Sequence, residues 1–266
     1  MRSPVGIFDS GFGGLTVVRQ FLHLLPEESI IYFGDNARVP YGSRARGRIQ
    51  TFVLEVGQYL VEQGIKALLV ACNTATAAAL AVLREKFSLP IIGIIEPGSR
   101  AAIGASRSGE IAIVATEYTI ASGSYQDTIK RLRPRARVYG QACPLFVPFV
   151  ERGQLNGREL EAAAEEYLSF LANTNVDTLV LGCTHYPHLS SIIRRAIGPD
   201  IRIIDPAEAT IWEIKKVLEQ DGLLAPEGNV PQHRFCTSGD PEHFRRLGQQ
   251  LLGFPMEQVE HVAMGE

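Results

Sequence analysis

Long apolar runs are missing from this chain. No stretch of its 266 residues approaches 18 uninterrupted apolar positions, which excludes a membrane-spanning helix by length. A surplus of charge is missing too. The 26 Lys and Arg against 29 Asp and Glu leave a formal net charge of −3, so there is no global footprint for nucleic acid. The one basic run, Lys130 to Arg137, reads as a solvated helix end and loop. Cysteine is scarce and unpaired in spacing. Cys72, Cys143, Cys183 and Cys236 form no C-x-x-C, so a zinc site or other metal centre is not expected. The opening "MRSPVGIFDS" lacks a signal-peptide apolar core and runs almost directly into a strand pattern. A cytoplasmic location is therefore expected, with the four cysteines as free thiols rather than a disulfide frame. Neither G-x-G-x-x-G nor a Walker lysine is present. "DSGFGG" therefore reads as a tight strand-to-helix turn near a ligand, not a phosphate cradle.

What is present points to an α/β protein. Hydrophobic residues make up 45% and charged residues 21%, ordinary for a globular chain long enough to bury a core. Short apolar runs alternate with stretches of helical period, the pattern of mainly parallel sheets. Strands are expected at Val5–Phe8, Ile30–Phe33, Lys66–Ala71 and Pro90–Ile94, then at Glu110–Val114, Ala136–Tyr139, Thr178–Leu181 and Arg202–Ile204. Helices are expected at Ser43–Gln63, Thr74–Phe87, Gly157–Ala172 and Ala207–Gln220, the last with Asp205 as N-cap and Pro206 at its first position.

The two strand series repeat one another. "IIYFG" is echoed by "ARVYG" about 107 residues on, the strand-end cysteines are 111 apart, and "IIEP" matches "IIDP" at 109. A repeat of this length implies duplicated units, not a solenoid. The expected fold is α/β with two pseudo-symmetric domains, each a mainly parallel central sheet flanked by helices, and an active site in the cleft between them. Residues 1–97 with 207–266 would form the first domain and 98–206 the second. The tail from Pro231, with "HRFCTSG", a helix-like "DPEHFRRLGQQLLG" and the alternation "EQVEHV", is expected to pack back on the first unit.

The cysteine-bearing runs "LLVACNTATAAAL" and "TLVLGCTHYPHL" carry the chemistry. In open parallel sheets, ligands bind beyond the carboxyl ends of the strands. Asp9-Ser10, Pro40-Tyr41-Gly42, Cys72-Asn73-Thr74, Glu96 and Cys183-Thr184-His185 all come just after strand runs, and facing units would bring them to one cleft. Two thiols on opposite sides of a small ligand suit inversion of a stereocentre. One takes a proton from one face and the other returns one to the opposite face. A thiol pKa is tunable by polar neighbours and helix N-termini, and each cysteine precedes a helix-like segment. Cys143 and Cys236 read instead as small buried hydrophobes. Asp9 reads either as a helix cap or as a carboxylate partnering a thiol. His185 reads either as a satisfied histidine or as an acid–base or orienting group. Glu151 is either a loop charge or part of the second unit's cleft edge, and His188 lies at the surface or behind the cleft.

At these residues the sequence resembles the cofactor-independent, two-cysteine glutamate racemases. The resemblance covers nearly the whole chain through "IFDSGFGGLTVV", "YFGDNARVPYG", "ACNTATAA", "GIIEPG", "TIASGSY", "CPLFVPFVE" and "LGCTHYPHL", in that order. It implies interconversion of L- and D-glutamate without pyridoxal phosphate or metal, supplying D-glutamate for peptidoglycan. It makes Cys72 and Cys183 the acid–base thiols, with Asp9 assisting Cys72, and Glu151 and His185 assisting Cys183. Ser10, Pro40, Tyr41, Gly42, Asn73, Thr74, Thr184 and the catalytic Asp9 and His185 would hold the substrate. A homodimer with no nucleic-acid or membrane partner is expected.

Three features depart from the family pattern. Glu117-Tyr118 stands where small residues are usual, His188 where leucine is usual, and the chain starts directly at its first strand. Activation by a wall precursor through an N-terminal extension is therefore not expected. The rival readings are a related aspartate or hydantoin racemase, a two-lobed binding module, and a thiol redox protein with a Cys72–Cys183 disulfide.

Overall fold

A computed structural model describes residues 3–253, 255–256 and 258–265. Met1 and Arg2 of the opening stretch, and Glu257 of the closing alternation, lie outside the described residues. In chain order the strands are β1 (Val5–Asp9), β2 (Ile30–Gly34), β3 (Ala67–Val70), β4 (Ile91–Gly93), β5 (Glu110–Ala115), β6 (Arg137–Ala142), β7 (Thr178–Gly182), β8 (Arg202–Ile204), β9 (His233–Thr237) and β10 (Val259–His261). They form two sheets, ordered β10-β9-β2-β1-β3-β4 and β6-β5-β7-β8. All the pairings are parallel.

The duplication seen in the sequence is a duplication of topology, since β2-β1-β3-β4 and β6-β5-β7-β8 are the same arrangement. In each, the chain leaves the first strand for one neighbour and then crosses to the other side. The reversal lies between β1 and β3 in one sheet and between β5 and β7 in the other, where a crevice opens beyond the strand ends. Val5, Ile7 and Phe8 of β1 and Ile111, Ile113 and Val114 of β5 are buried, because helices cover both faces of these central strands. Each such side chain contributes about 1.5–3 kcal/mol relative to exposure.

The tail joins the first sheet, as its pattern implied. β9 pairs with β2 from Ile30↔His233 to Gly34↔Thr237, and β10 extends the edge. The Pro241–Leu252 helix packs Phe244 on Phe12, ring centroids 5.0 Å apart. Helices Ile95–Ala105 and Pro206–Gln220 carry the chain between sheets and pack on each other. One continuous core runs through Ile95, Ala102, Tyr125 and Ile211 and joins Ile7 of one sheet to Ile113 of the other. The expected division after residue 97 falls inside the Ile95–Ala105 helix.

One feature of the repeat needs correction. β3/β7 start 111 residues apart, as the cysteine spacing implied, but β4/β8 also start 111 apart, so the "IIEP"/"IIDP" match at 109 does not align equivalent elements. Asp205 is indeed the N-cap of Pro206–Gln220, accepting from Ala207 N at 2.9 Å. Glu96 instead lies within the first turn of its helix, on the exposed face, paired with Arg100 at 2.6 Å and Arg131 at 3.5 Å. It does not reach the cleft.

Candidate active site

Beyond the ends of β1, β3, β5 and β7 the two halves leave a narrow cavity of about 20 Å³ between them. Cys72 and Cys183 both line it. So do Ser10, Pro40, Tyr41 and Gly42 from the first half, Asn73 and Thr74 beside Cys72, and Thr184 and His185 beside Cys183. Each of these residues was expected at the cleft. Asp9 and Glu151 stand one contact behind, reaching the space through Thr184 and His185. Val39, Thr116 and Val147 also line it and were not anticipated. Thr116 comes after β5 as Ser10 comes after β1, so extending the repeat to every strand end would have found it.

Cys72 is the N-cap of the Asn73–Lys86 helix. Its sulfur accepts from Ala75 N at 3.4 Å and donates to Ser10 Oγ at 3.4 Å. Burial pushes this thiol up to about 12, and the nearby Asp9 charge adds to the rise. The Ser10 and Ala75 hydrogen bonds offset only part of it. Asp9 itself makes its bonds elsewhere, accepting from Gly11 N at 3.0 Å and from Thr184 Oγ1 at 3.0 Å. Burial raises its pKa above the usual carboxylate value, opposed by the His185 charge and these hydrogen bonds.

Cys183 has different surroundings. The chain leaves it through a bend and a four-residue 3₁₀ turn, Tyr186–Leu189, not an α-helix, so the expected helix-terminus support is absent at this sulfur. Its partner is the His185 ring, with Sγ 3.7 Å from Nδ1. His185 Nε2 in turn lies 2.5 Å from Glu151 Oε1. Burial works against the imidazolium, but the hydrogen bonds and charges of Cys183 and Glu151 outweigh it and raise the His185 pKa well above its usual value. The result is a hydrogen-bonded chain of Glu151, His185 and Cys183 on one side and a capped thiol on the other.

Close approach of the halves depends on glycine at two places. A Cβ on Gly13 would strike Thr184 Oγ1 and sit 2.5 Å from His185 Nδ1; one on Gly42 would sit 2.6 Å from Thr116 Cβ. Tyr118 N donates to Gly42 O at 3.0 Å, while the Glu117 side chain is exposed, so this departure leaves the cleft wall intact. Thr74, Thr116 and Thr119 close a hydroxyl triangle across the halves, with edges of 2.9, 3.2 and 3.0 Å. The Tyr41 hydroxyl donates to Asp35, which also holds Arg38 and Ser238. That leaves the Tyr41 ring and backbone, not its hydroxyl, for the cleft.

All four cysteines are free, so the disulfide required by the redox reading is not formed. Among the described residues no helix is long and apolar enough to cross a membrane, and no cluster of three or more His, Cys, Asp or Glu is placed to hold a metal. His188 is half-buried, with Nε2 enclosed and unpartnered. A larger groove between the Ile95–Ala105 and Pro206–Gln220 helices, lined by Asp205, Glu208 and Trp212, contains no cysteine.

Comparison with known proteins gives the family of the chain. Residues 14–214 match the Asp/Glu/hydantoin racemase family model. A glutamate racemase from Geobacter metallireducens is 44% identical over 260 residues, covering 98% of this chain and 96% of that protein. The crystal structure of a glutamate racemase isoform from Bacillus anthracis superposes with a TM-score of 0.93 at 40% identity, covering 99% and 97% of the two chains. That of a glutamate racemase from Francisella tularensis, in complex with D-glutamate, gives 0.92 at 36% identity and 98% coverage of both. With the fold, two switch-point thiols and these full-length likenesses, the chain belongs to the glutamate racemases of the Asp/Glu/hydantoin racemase family.

Proposed function

We propose that this protein interconverts L- and D-glutamate by proton transfer at the α-carbon between two thiols, Cys72 and Cys183. The observation that carries the reading is the placement of these two cysteines at equivalent switch points, both lining one narrow cavity. One sulfur, as thiolate, takes the α-proton into an S–H bond. The charge left on carbon spreads into the substrate carboxylate, where fixed donors meet it. The opposite S–H then delivers its proton to the other face and becomes the thiolate. Protons balance, and the reverse reaction exchanges the roles.

The surroundings divide the roles in the resting protein. Cys72, with its pKa raised to about 12, is a thiol at neutral pH and thus the ready donor. The His185 imidazolium stands 3.7 Å from the Cys183 sulfur, which takes the other role, that of the base. Glu151 orients and sustains that imidazolium, and Asp9 holds Thr184 in place. Ser10, Asn73, Thr74 and Thr184, with the Tyr41–Gly42 backbone, bind the ammonium and carboxylates.

The same reading includes a homodimer in the cytoplasm that supplies D-glutamate for peptidoglycan. It also includes two units, 1–97 with 207–266 and 98–206, which move against each other to admit substrate.

The deciding experiment is incubation with L-glutamate in deuterium oxide, with no cofactor or metal added, tracking optical rotation and α-hydrogen exchange together. Decay of rotation toward zero with deuterium entering is the expected result. Exchange on aspartate but not glutamate would transfer the mechanism to the other substrate, and binding without exchange would leave only a binding module.

A further inference from the structure

Asn73 presents an unusual polar group. The residue is 2% exposed and lines the cleft directly after Cys72, yet its Nδ2 has no hydrogen-bond partner. A buried amide donor without an acceptor is costly, so its orientation must be imposed from elsewhere. The other end of the carboxamide shows how. Asn73 Oδ1 accepts from Tyr125 Oη at 2.7 Å, and both groups are buried.

Tyr125 belongs to the opposite half of the molecule. It lies in the first turn of the Ser124–Leu132 helix, which packs on Ile95–Ala105. Its hydroxyl passes beside Gly98, where an added Cβ would sit 3.4 Å from Oη. Burial keeps the phenol protonated, raising its pKa further above the ordinary value. Turned over, the carboxamide could donate its NH₂ to the phenol oxygen, but the buried phenol O–H would lose Asn73 Oδ1, its acceptor among the described residues. The bond therefore distinguishes the two amide orientations.

We infer that Tyr125 is a positioning residue for the reaction: by holding Asn73 Oδ1 from across the cleft, it presents Asn73 Nδ2 to a carboxylate of the bound amino acid. This rests on the reading of the cleft as the glutamate site. Without the phenol, the amide can turn over and set its oxygen against the carboxylate, replacing attraction with repulsion. Because the two partners stand on different halves, the amide is held only while the halves are together. Donor and closed cleft are thus supplied by the same contact.

The test is a double-mutant cycle of Tyr125→Phe and Asn73→Ala. Glutamate Kd is measured by calorimetry in all four proteins, kcat and KM where turnover persists, and thermal midpoints throughout. Calorimetry keeps the cycle readable if Asn73→Ala lowers turnover below detection. Tyr125→Phe should weaken glutamate binding and raise KM about tenfold, the worth of one hydrogen bond to a charged group, with kcat lowered less. In the Asn73→Ala background the same substitution should change Kd less than twofold. Unchanged Kd and KM in Tyr125→Phe would overturn the inference. So would an equal loss in both backgrounds, which would mark Tyr125 as a packing residue. A wild-type protein that neither binds nor racemises glutamate would overturn the functional reading itself, and is distinguished by needing no mutant.

Discussion

Thr184 Oγ1 donates to Asp9 Oδ2 at 3.0 Å, tying the loop after β7 to the end of β1 across the junction of the two halves. Asp9 is wholly buried, and its second oxygen is taken by Gly11 N. Replacing Thr184 with the near-isosteric Val would leave Oδ2 without this donor. The expected cost is about 1–3 kcal/mol of stability, with kcat/KM reduced as well, because the halves lose a fixed point. Denaturant unfolding at pH 7 measures it, and a Thr184→Ser variant should recover most of the loss.

Removal of either thiol should stop the reaction. Cys72→Ala and Cys183→Ala are each expected to lower racemisation by at least about a thousandfold, since a two-sided proton transfer cannot proceed with one side missing. Polarimetry from each pure enantiomer reads this. One variant with near-normal turnover in both directions would sink the two-thiol assignment.

Glu151→Gln should act through His185. The His185 pKa is raised in the folded protein, so the stabilisation from its protonated form is complete below the unfolded value of about 6.5 and is lost as pH rises through the folded pKa. Substituting Gln removes a charge that favours the imidazolium, so the folded pKa falls. The alkaline limb of kcat/KM should move to lower pH, and the thermal midpoint should drop more at pH 6 than at pH 9. A profile that keeps its shape would disconnect Glu151 from His185.

His188→Leu has the opposite pH signature. Burial, with the charges of His185 and Arg19 adding to it, lowers the His188 pKa from 6.5 to about 4. The unfolded chain therefore binds this proton more tightly, and stability is lost as pH falls from about 6.5 toward 4. With partial exposure discounted, the effect is roughly 2 kcal/mol at pH 4. Leucine at 188 should flatten that acid loss and leave stability at pH 8 little changed, a contrast visible in urea titrations at the two pH values.

Gly13→Ala tests the seam between the halves. Its Cβ would press on Thr184 and His185, so the expected result is a fall in kcat/KM of about a hundredfold from displaced catalytic groups. Gly104→Ala is the control. Nothing lies within 4 Å of a Cβ at that exposed helix position, and the change should be neutral or stabilise by up to about 1 kcal/mol.

Much of this protein was determined by sequence alone. Strands buried on both faces must be written as unbroken apolar runs, and helices as 3.6-residue periods between caps, so β1 to β8 and the Asp205 cap could be read in order. Duplication doubled that signal and singled out Cys72 and Cys183 by symmetry. The same symmetry misled where it was carried too far. It treated the two cysteines as equals, and the strand-end rule drew Glu96 toward the cleft although that residue lies inside a helix turn. The difference between the cysteines is tertiary. Where a side chain points after a strand end depends on a few loop dihedrals, and what it meets comes from segments far along the chain: Ser10 for Cys72, Asp9 for Thr184, Tyr125 for Asn73. Hydrogen bonds between such segments leave no period in the sequence, because each needs only one suitable residue at each end. Only the packing of the two halves brought these partners within bonding distance.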